Sequence, residues 1–263
     1  MGRVIAFSEL PDYLASLESN ETNLKATILD TNILITSSYE IRDDFSEVVQ
    51  VLDTLSNGGF RFFATVNTKS EFLEFHRRLI LTENLLDAID EHSKLKIPKS
   101  VRAKIQSLKG TLKAGVESDR EKDFIFNDAQ IKKIKQEFSA GDHSGHKGWL
   151  EICRLFLSGR LSEIESELTS RGIEYISQHE PEQKKIFHKI IDWPDAMNIS
   201  ERTGVSFSDA MILNAFQCSN CPFIMSKDFD IGYSVLAGSL MKDAVVPDRL
   251  AWEFRHYHFD KTQ

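Results

Sequence analysis

Cysteine is scarce in this chain: three residues in 263, at Cys153, Cys218 and Cys221. An odd, small number excludes a fully paired disulfide framework and agrees with a reducing compartment, so a cytoplasmic location is expected. The spacing "CSNC" at 218–221 is half of a zinc site at best, with no second half along the chain. Small buried thiols are the expectation there. Long apolar runs are missing too. Nothing approaches the ~20 apolar residues that span a bilayer, and the first thirty residues show no cationic segment followed by an apolar stretch, so no membrane is expected. Positive charge is in deficit, with 32 Lys and Arg against 40 Asp and Glu, a net charge of −8. That excludes a protein that coats nucleic acid by bulk attraction, while leaving room for a local basic face. What remains, 41% hydrophobic and 27% charged, is ordinary globular composition, enough for one large domain or two small ones.

Hydrophobic patterning predicts an α/β fold. "FSELPDYLASLES" places Leu10, Tyr13, Leu14 and Leu17 at helical spacing, with Ser8 as a candidate N-cap. Residues 1–23 are therefore expected as an N-terminal helix packed on the core. "LKATILD" and "FRFFATV" are β-like runs, the second introduced by the turn signal "NGG", and "EVVQVLDTL" between them has helix periodicity. Strand, helix, strand is a βαβ unit and implies a parallel sheet. Three further runs, "IEYIS", "PFIMS" and "AVV", continue the alternation. The expected architecture is an open parallel sheet of about five strands flanked by helices, formed by 24–88 and 171–263. Residues 89–170 read as a helical insertion between the second and third of these strands, with "SAGDHSGHKG" (139–148) as a loop between insertion helices.

Ligand sites of open α/β sheets lie beyond the carboxyl ends of the strands, and acids recur there. Asp30 ends the run "ATILD". Glu71 is expected in the first turn of a helix after the second strand, with Thr68 as its capping partner, and Asp209 opens the helix "SFSDAMILNAF", with Ser206 as its cap. Asp228 and Asp230 follow the strand "FIMS". Each acid alone is an ordinary turn or cap residue. Gathered at one sheet edge without a cation they would repel one another, so the set makes most sense around a divalent metal. Carboxylate oxygens without His or Cys select a hard ion, Mg²⁺ or Mn²⁺, a combination suited to phosphodiester hydrolysis.

The ordered set "ILDTNILI", "TKSEFLEF", "SFSDAMILNAF" and "FIMSKDFDI" resembles the PIN-domain nucleases, found among toxin–antitoxin ribonucleases and RNA-processing enzymes. The resemblance spans roughly 24–88 and 171–250, and it leaves the insertion unexplained. It implies catalytic and metal-binding roles for Asp30, Glu71, Asp209 and Asp228, with Asp230 as an auxiliary ligand, one or two Mg²⁺ or Mn²⁺ ions, and products with a 5′-phosphate and a 3′-hydroxyl. Asn32 and Ser226 are expected to hydrogen-bond the carboxylates or metal-bound water; Ser226 stands where the family usually has Thr. The implied substrate is single-stranded RNA, with DNA the alternative. An antitoxin or other protein partner and a homo-oligomer are compatible with the family. The alternative of another class is a PIN-like protein that binds RNA or a partner without cutting. A haloacid-dehalogenase-like phosphatase would need an acid where Asn32 stands, and a receiver domain fits poorly with the long insertion.

One basic run stands out. Between Lys94 and Val116, Lys99, Arg102, Lys104 and Lys109 occur among seven cations with no acid. Two explanations are open: a solvated helix whose Ile105, Leu108 and Leu112 pack inward, or a face that contacts substrate phosphates.

Overall fold

The computed structural model describes residues 2–18, 24–42, 44–90, 97–118, 123–140, 146–237, 240 and 242–257. In chain order the elements begin with β1 (Val4–Ala6), a 3₁₀ turn (Phe7–Glu9), α1 (Leu10–Glu18), β2 (Ala26–Leu29), α2 (Thr31–Ser38), α3 (Phe45–Asn57), β3 (Arg61–Ala64) and α4 (Val66–Ala88). Then come α5 (Lys99–Ser118), α6 (Asp128–Ala140), α7 (His146–Leu157), α8 (Arg160–Ser170), β4 (Ile173–Tyr175) and a 3₁₀ turn (Lys184–Ile186). The chain closes with α9 (Trp193–Thr203), α10 (Phe207–Cys218), β5 (Phe223–Met225), α11 (Phe229–Leu236), β6 (Asp243–Val246) and α12 (Asp248–Phe254). Two compact units result, Met1–Phe72 with Leu168–Gln263, and Leu73–Glu167.

The first unit is an open sheet of six strands in the order β1-β6-β5-β2-β3-β4, every pair parallel. Parallel strands are covered on both faces, which is why β2 reads "ATIL" with all four residues buried. On one face Ala26, Ile28, Phe63, Ile224, Ala244 and Val246 form a single core with Ala196 and Ile199 of α9, Leu213 and Phe216 of α10, and Ile231 and Val235 of α11. On the other face Tyr13 of α1 meets Phe223 edge-on, ring centroids 5.7 Å apart. From β2 the chain builds outward through β3 to β4, then returns to the other side of β2 to lay down β5 and β6. The carboxyl ends of β2 and β5 are therefore the topological switch point, where the neighbouring connections diverge and leave a crevice.

Several expectations are revised. The N-terminal segment is not helix alone: Val4–Ala6 adds a sixth strand, pairing with Ala244–Val246 and tied there by Arg3, which bonds Asp243 through its backbone N–H and its guanidinium, both at 2.8 Å. Ser8 does not cap α1. It lies in the 3₁₀ turn, and its backbone N–H donates to Asp248 Oδ1 at 2.9 Å. With β1 counted, the insertion falls between the third and fourth strands. Of the loop expected at 139–148, residues 139–140 end α6 and 146–148 begin α7, while 141–145 lie outside the described residues.

The second unit has its own core. Ile80, Leu81 and Leu85 of α4 pack with Val101, Ile105, Leu108 and Leu112 of α5, Ile131, Ile134 and Phe138 of α6, and Trp149, Ile152 and Phe156 of α7. Spacings of three and four residues place the α5, α6 and α7 sets each on one helix face. Among the described residues no helix is long and apolar enough to cross a membrane.

Candidate functional site

Four segments deliver the acids to the switch point. Asp30 follows β2 directly; its backbone N–H extends the pairing by donating to Met225 O at 2.9 Å, and its side chain caps α2. Although it stands at a strand end, Asp30 is only 3% exposed. Its Oδ1 accepts from the Thr31 N–H at 2.7 Å and its Oδ2 from the Ser226 hydroxyl at 2.6 Å. Ser226, fully buried after β5, also accepts the Asp228 N–H at 2.9 Å, so one hydroxyl links two of the acids. Asp228 caps α11, accepting the Asp230 N–H at 2.7 Å.

Glu71 lies a turn deeper in α4 than its sequence position suggested. β3 stops at Ala64, and Thr65 takes the capping role expected of Thr68, accepting the Thr68 N–H at 3.1 Å. Glu71 thereby faces the switch point from the side of the helix, accepting from the Thr31 hydroxyl at 2.6 Å and from the Ser208 hydroxyl. Asp209 enters through a tight reversal. Gly204, at φ 76°, ends α9 in the left-handed conformation that glycine adopts without steric cost. Ser206 then caps α10, accepting the Asp209 N–H at 3.2 Å and donating its own proton to Asp209 Oδ2 at 2.6 Å.

The acids feel one another. Burial pushes the Asp30 carboxyl up to about 7; the hydrogen bonds from Ser226 and Thr31 oppose this, and repulsion from Asp228 and Asp209 adds to it. Burial also raises Asp209, aided by Glu71 and Asp230, and raises Asp228, aided by Asp209, Asp230 and Glu71. Asp30, Glu71, Asp209 and Asp228 thus share one electrostatic neighbourhood, with the exposed Asp230 at its rim. The cation closest in sequence does not relieve them. The Lys227 ammonium pairs with Asp44 and donates to Thr36 Oγ1 at 2.9 Å.

Asn32 Oδ1 accepts the Lys227 N–H at 2.9 Å, fastening the turn after β5 to α2. Ser206 bonds Asp209 as its capping spacing predicts, whereas Thr31 and Ser208, both partners of Glu71, have no such signal in the sequence. Of the basic run, residues 99–116 lie in α5 in the second unit, while 94–96 lie outside the described residues. Lys99 is exposed and Lys104 and Lys109 are half-buried, whereas the Arg102 guanidinium is engaged, donating to Ile89 O at 2.6 Å.

A hard divalent ion fits the chemistry of this donor set: carboxylate oxygens only, mutually repelling, with raised proton affinities at Asp30, Asp209 and Asp228 that a cation would reverse. The present spacing is looser. Among the described residues, no three Asp, Glu, His or Cys side chains form a group that could hold a metal ion as they stand.

No family model, curated protein or solved structure matches the chain.

Proposed function

We propose that this chain is a metal-dependent nuclease that hydrolyses phosphodiester bonds of single-stranded RNA, with the PIN-domain resemblance as its family assignment. The observation that carries the proposal is the convergence of Asp30, Glu71, Asp209 and Asp228, from four separate segments, on the switch point of one parallel sheet, each bonded to a hydroxyl or backbone N–H and three of them with raised pKa values. Acids of this kind suit Mg²⁺ or Mn²⁺. Asp30, Asp209 and Asp228, with Glu71, would hold the ion, which when bound supplies an acidified water and charge neutralisation at the phosphate. Ser226 holds Asp30 and the Asp228 backbone in register, Thr31 and Ser208 aim Glu71, and Ser206 aims Asp209. Asp230 stands ready as an auxiliary oxygen donor.

The test is cleavage of single-stranded RNA by the purified chain with Mg²⁺ or Mn²⁺. Activity should vanish in excess chelator and fall by orders of magnitude in folded Asp209→Asn. Equal cleavage in chelator refutes the proposal. The looseness of the carboxylate group favours one second reading, a protein of the same fold that binds RNA or a partner without cutting. Binding with no cleavage under any divalent ion would select it.

A further inference from the structure

The helices that frame the acidic centre begin with exposed aromatic rings. Trp193 is the first residue of α9 and is 62% exposed; Phe207 is the first residue of α10 and is 52% exposed. Their ring centroids lie 6.4 Å apart with planes tilted by 47°. Met197, one turn along from Trp193 on the same face of α9, is 41% exposed. Solitary exposed apolar residues are commonplace, but paired rings are not required here for folding. The two helices are anchored by Ala196, Ile199, Ala210, Leu213 and Phe216 in the sheet-facing core.

Position and charge indicate the occupant. Phe207 opens the very turn that carries Ser208, bonded to Glu71, and Asp209. A chain segment resting on these rings therefore lies beside the acids. Lys189, four residues before Trp193, pairs with Asp195; Lys227, beside Asp228, pairs with Asp44; and the Lys69 ammonium, two residues before Glu71, lies over the Tyr175 ring at 5.7 Å. A polyanion reaching this edge meets carboxylates and exposed π-faces, and the rings offer contact to its neutral parts, the bases. Every base offers a face that stacks on an aromatic ring without regard to sequence.

We propose that Trp193 and Phe207 form a stacking platform for an unpaired base of single-stranded nucleic acid, beside the acidic centre. The proposal rests on the nuclease assignment only for the class of polymer. It predicts discrimination against duplex, whose bases are already stacked, and affinity that does not depend on salt at this contact.

Binding is measured in the Asp30→Asn background with chelator present, so that cleavage plays no part. The probes are a short single-stranded oligoribonucleotide, the same oligomer with abasic sites, and the matching duplex. Phe207→Leu and Trp193→Leu should each weaken binding of the intact single strand about tenfold, the loss of one stacked base. Neither should change binding of the abasic oligomer or the log–log salt slope, and Trp193→Phe should recover most of the affinity. Leucine at two exposed positions leaves the core intact, which far-ultraviolet circular dichroism checks. Unchanged affinity, or an equal loss with the abasic oligomer, overturns the platform. So does a shift from oligomer to monomer in the leucine variants with nucleic-acid affinity intact, which would make the patch a protein-docking face. Base-dependent binding by a wild-type chain that never cleaves would remove the nuclease assignment and leave the platform standing.

Discussion

Asp30→Asn should make the metal-free protein more stable at alkaline pH while removing its activity. The Asp30 carboxyl is 3% exposed, and burial lifts it from 3.8 to about 7. In the unfolded chain it loses its proton near 3.8, so between that pH and 7 the folded protein holds a proton that the unfolded chain has released. Stability contributed by this group is therefore intact below 3.8 and falls as pH rises through the window. At 1.36 kcal/mol per pH unit the loss has a ceiling of about 4 kcal/mol. Asparagine fills the same space without a charge. Its amide cannot accept from both Thr31 N–H and the Ser226 hydroxyl, and the mismatch costs about 1 kcal/mol at every pH. The variant should therefore be slightly less stable than wild type at pH 3.5 and more stable by as much as about 3 kcal/mol at pH 8. Urea unfolding in chelator at the two pH values measures the difference. A difference that keeps its sign and size between pH 3.5 and pH 8 would refute the account of Asp30 as a buried, strained carboxylate. Adding Mg²⁺ at about 100 times its dissociation constant should raise wild-type stability by about 2.7 kcal/mol and leave the variant nearly unmoved.

Ser226→Ala removes the hydroxyl that lowers the Asp30 pKa and accepts the Asp228 N–H. Asp30 should then titrate higher still, and the acid limb of the pH–activity profile should move to higher pH; an unmoved limb would separate Asp30 ionisation from activity. In α5 the cations should divide by their contacts. Lys99→Gln, Lys104→Gln and Lys109→Gln together should reduce the log–log salt slope for single-stranded RNA by about 2, at about 0.7 per phosphate contact. Arg102→Gln, which frees the Ile89 carbonyl, should instead lower stability by about 1–2 kcal/mol with the slope unchanged. An unchanged slope in the folded triple variant would leave α5 as a solvated face.

Local pattern alone was enough for β2, β3, β5 and β6, because each is a largely buried apolar run and burial of that kind is written into adjacent positions. The edge strand β4, with only Ile173 buried, is legible from its place in the alternation of strand and helix. Local pattern was also enough for the α5 stripe, whose Ile105, Leu108 and Leu112 recur at helical spacing. It was not enough for β1. Three residues, Val4–Ala6, carry too little pattern to declare a strand, and they become one only because β6, some 240 residues later, presents an edge. The acids divide in the same way. Their order and strand-end context are visible along the chain, and so is the Ser206 cap of Asp209, three residues away. What joins them is not. Ser226 reaches Asp30 across 196 residues, Ser208 reaches Glu71 across 137 and Thr31 reaches Glu71 across 40. The Ser226–Asp30 contact exists because the sheet returns to lay β5 beside β2, and nothing in the local spacing encodes that return. The same placement buries Asp30 and raises its pKa, since desolvation depends on what packs around a carboxylate, and only the tertiary fold decides that.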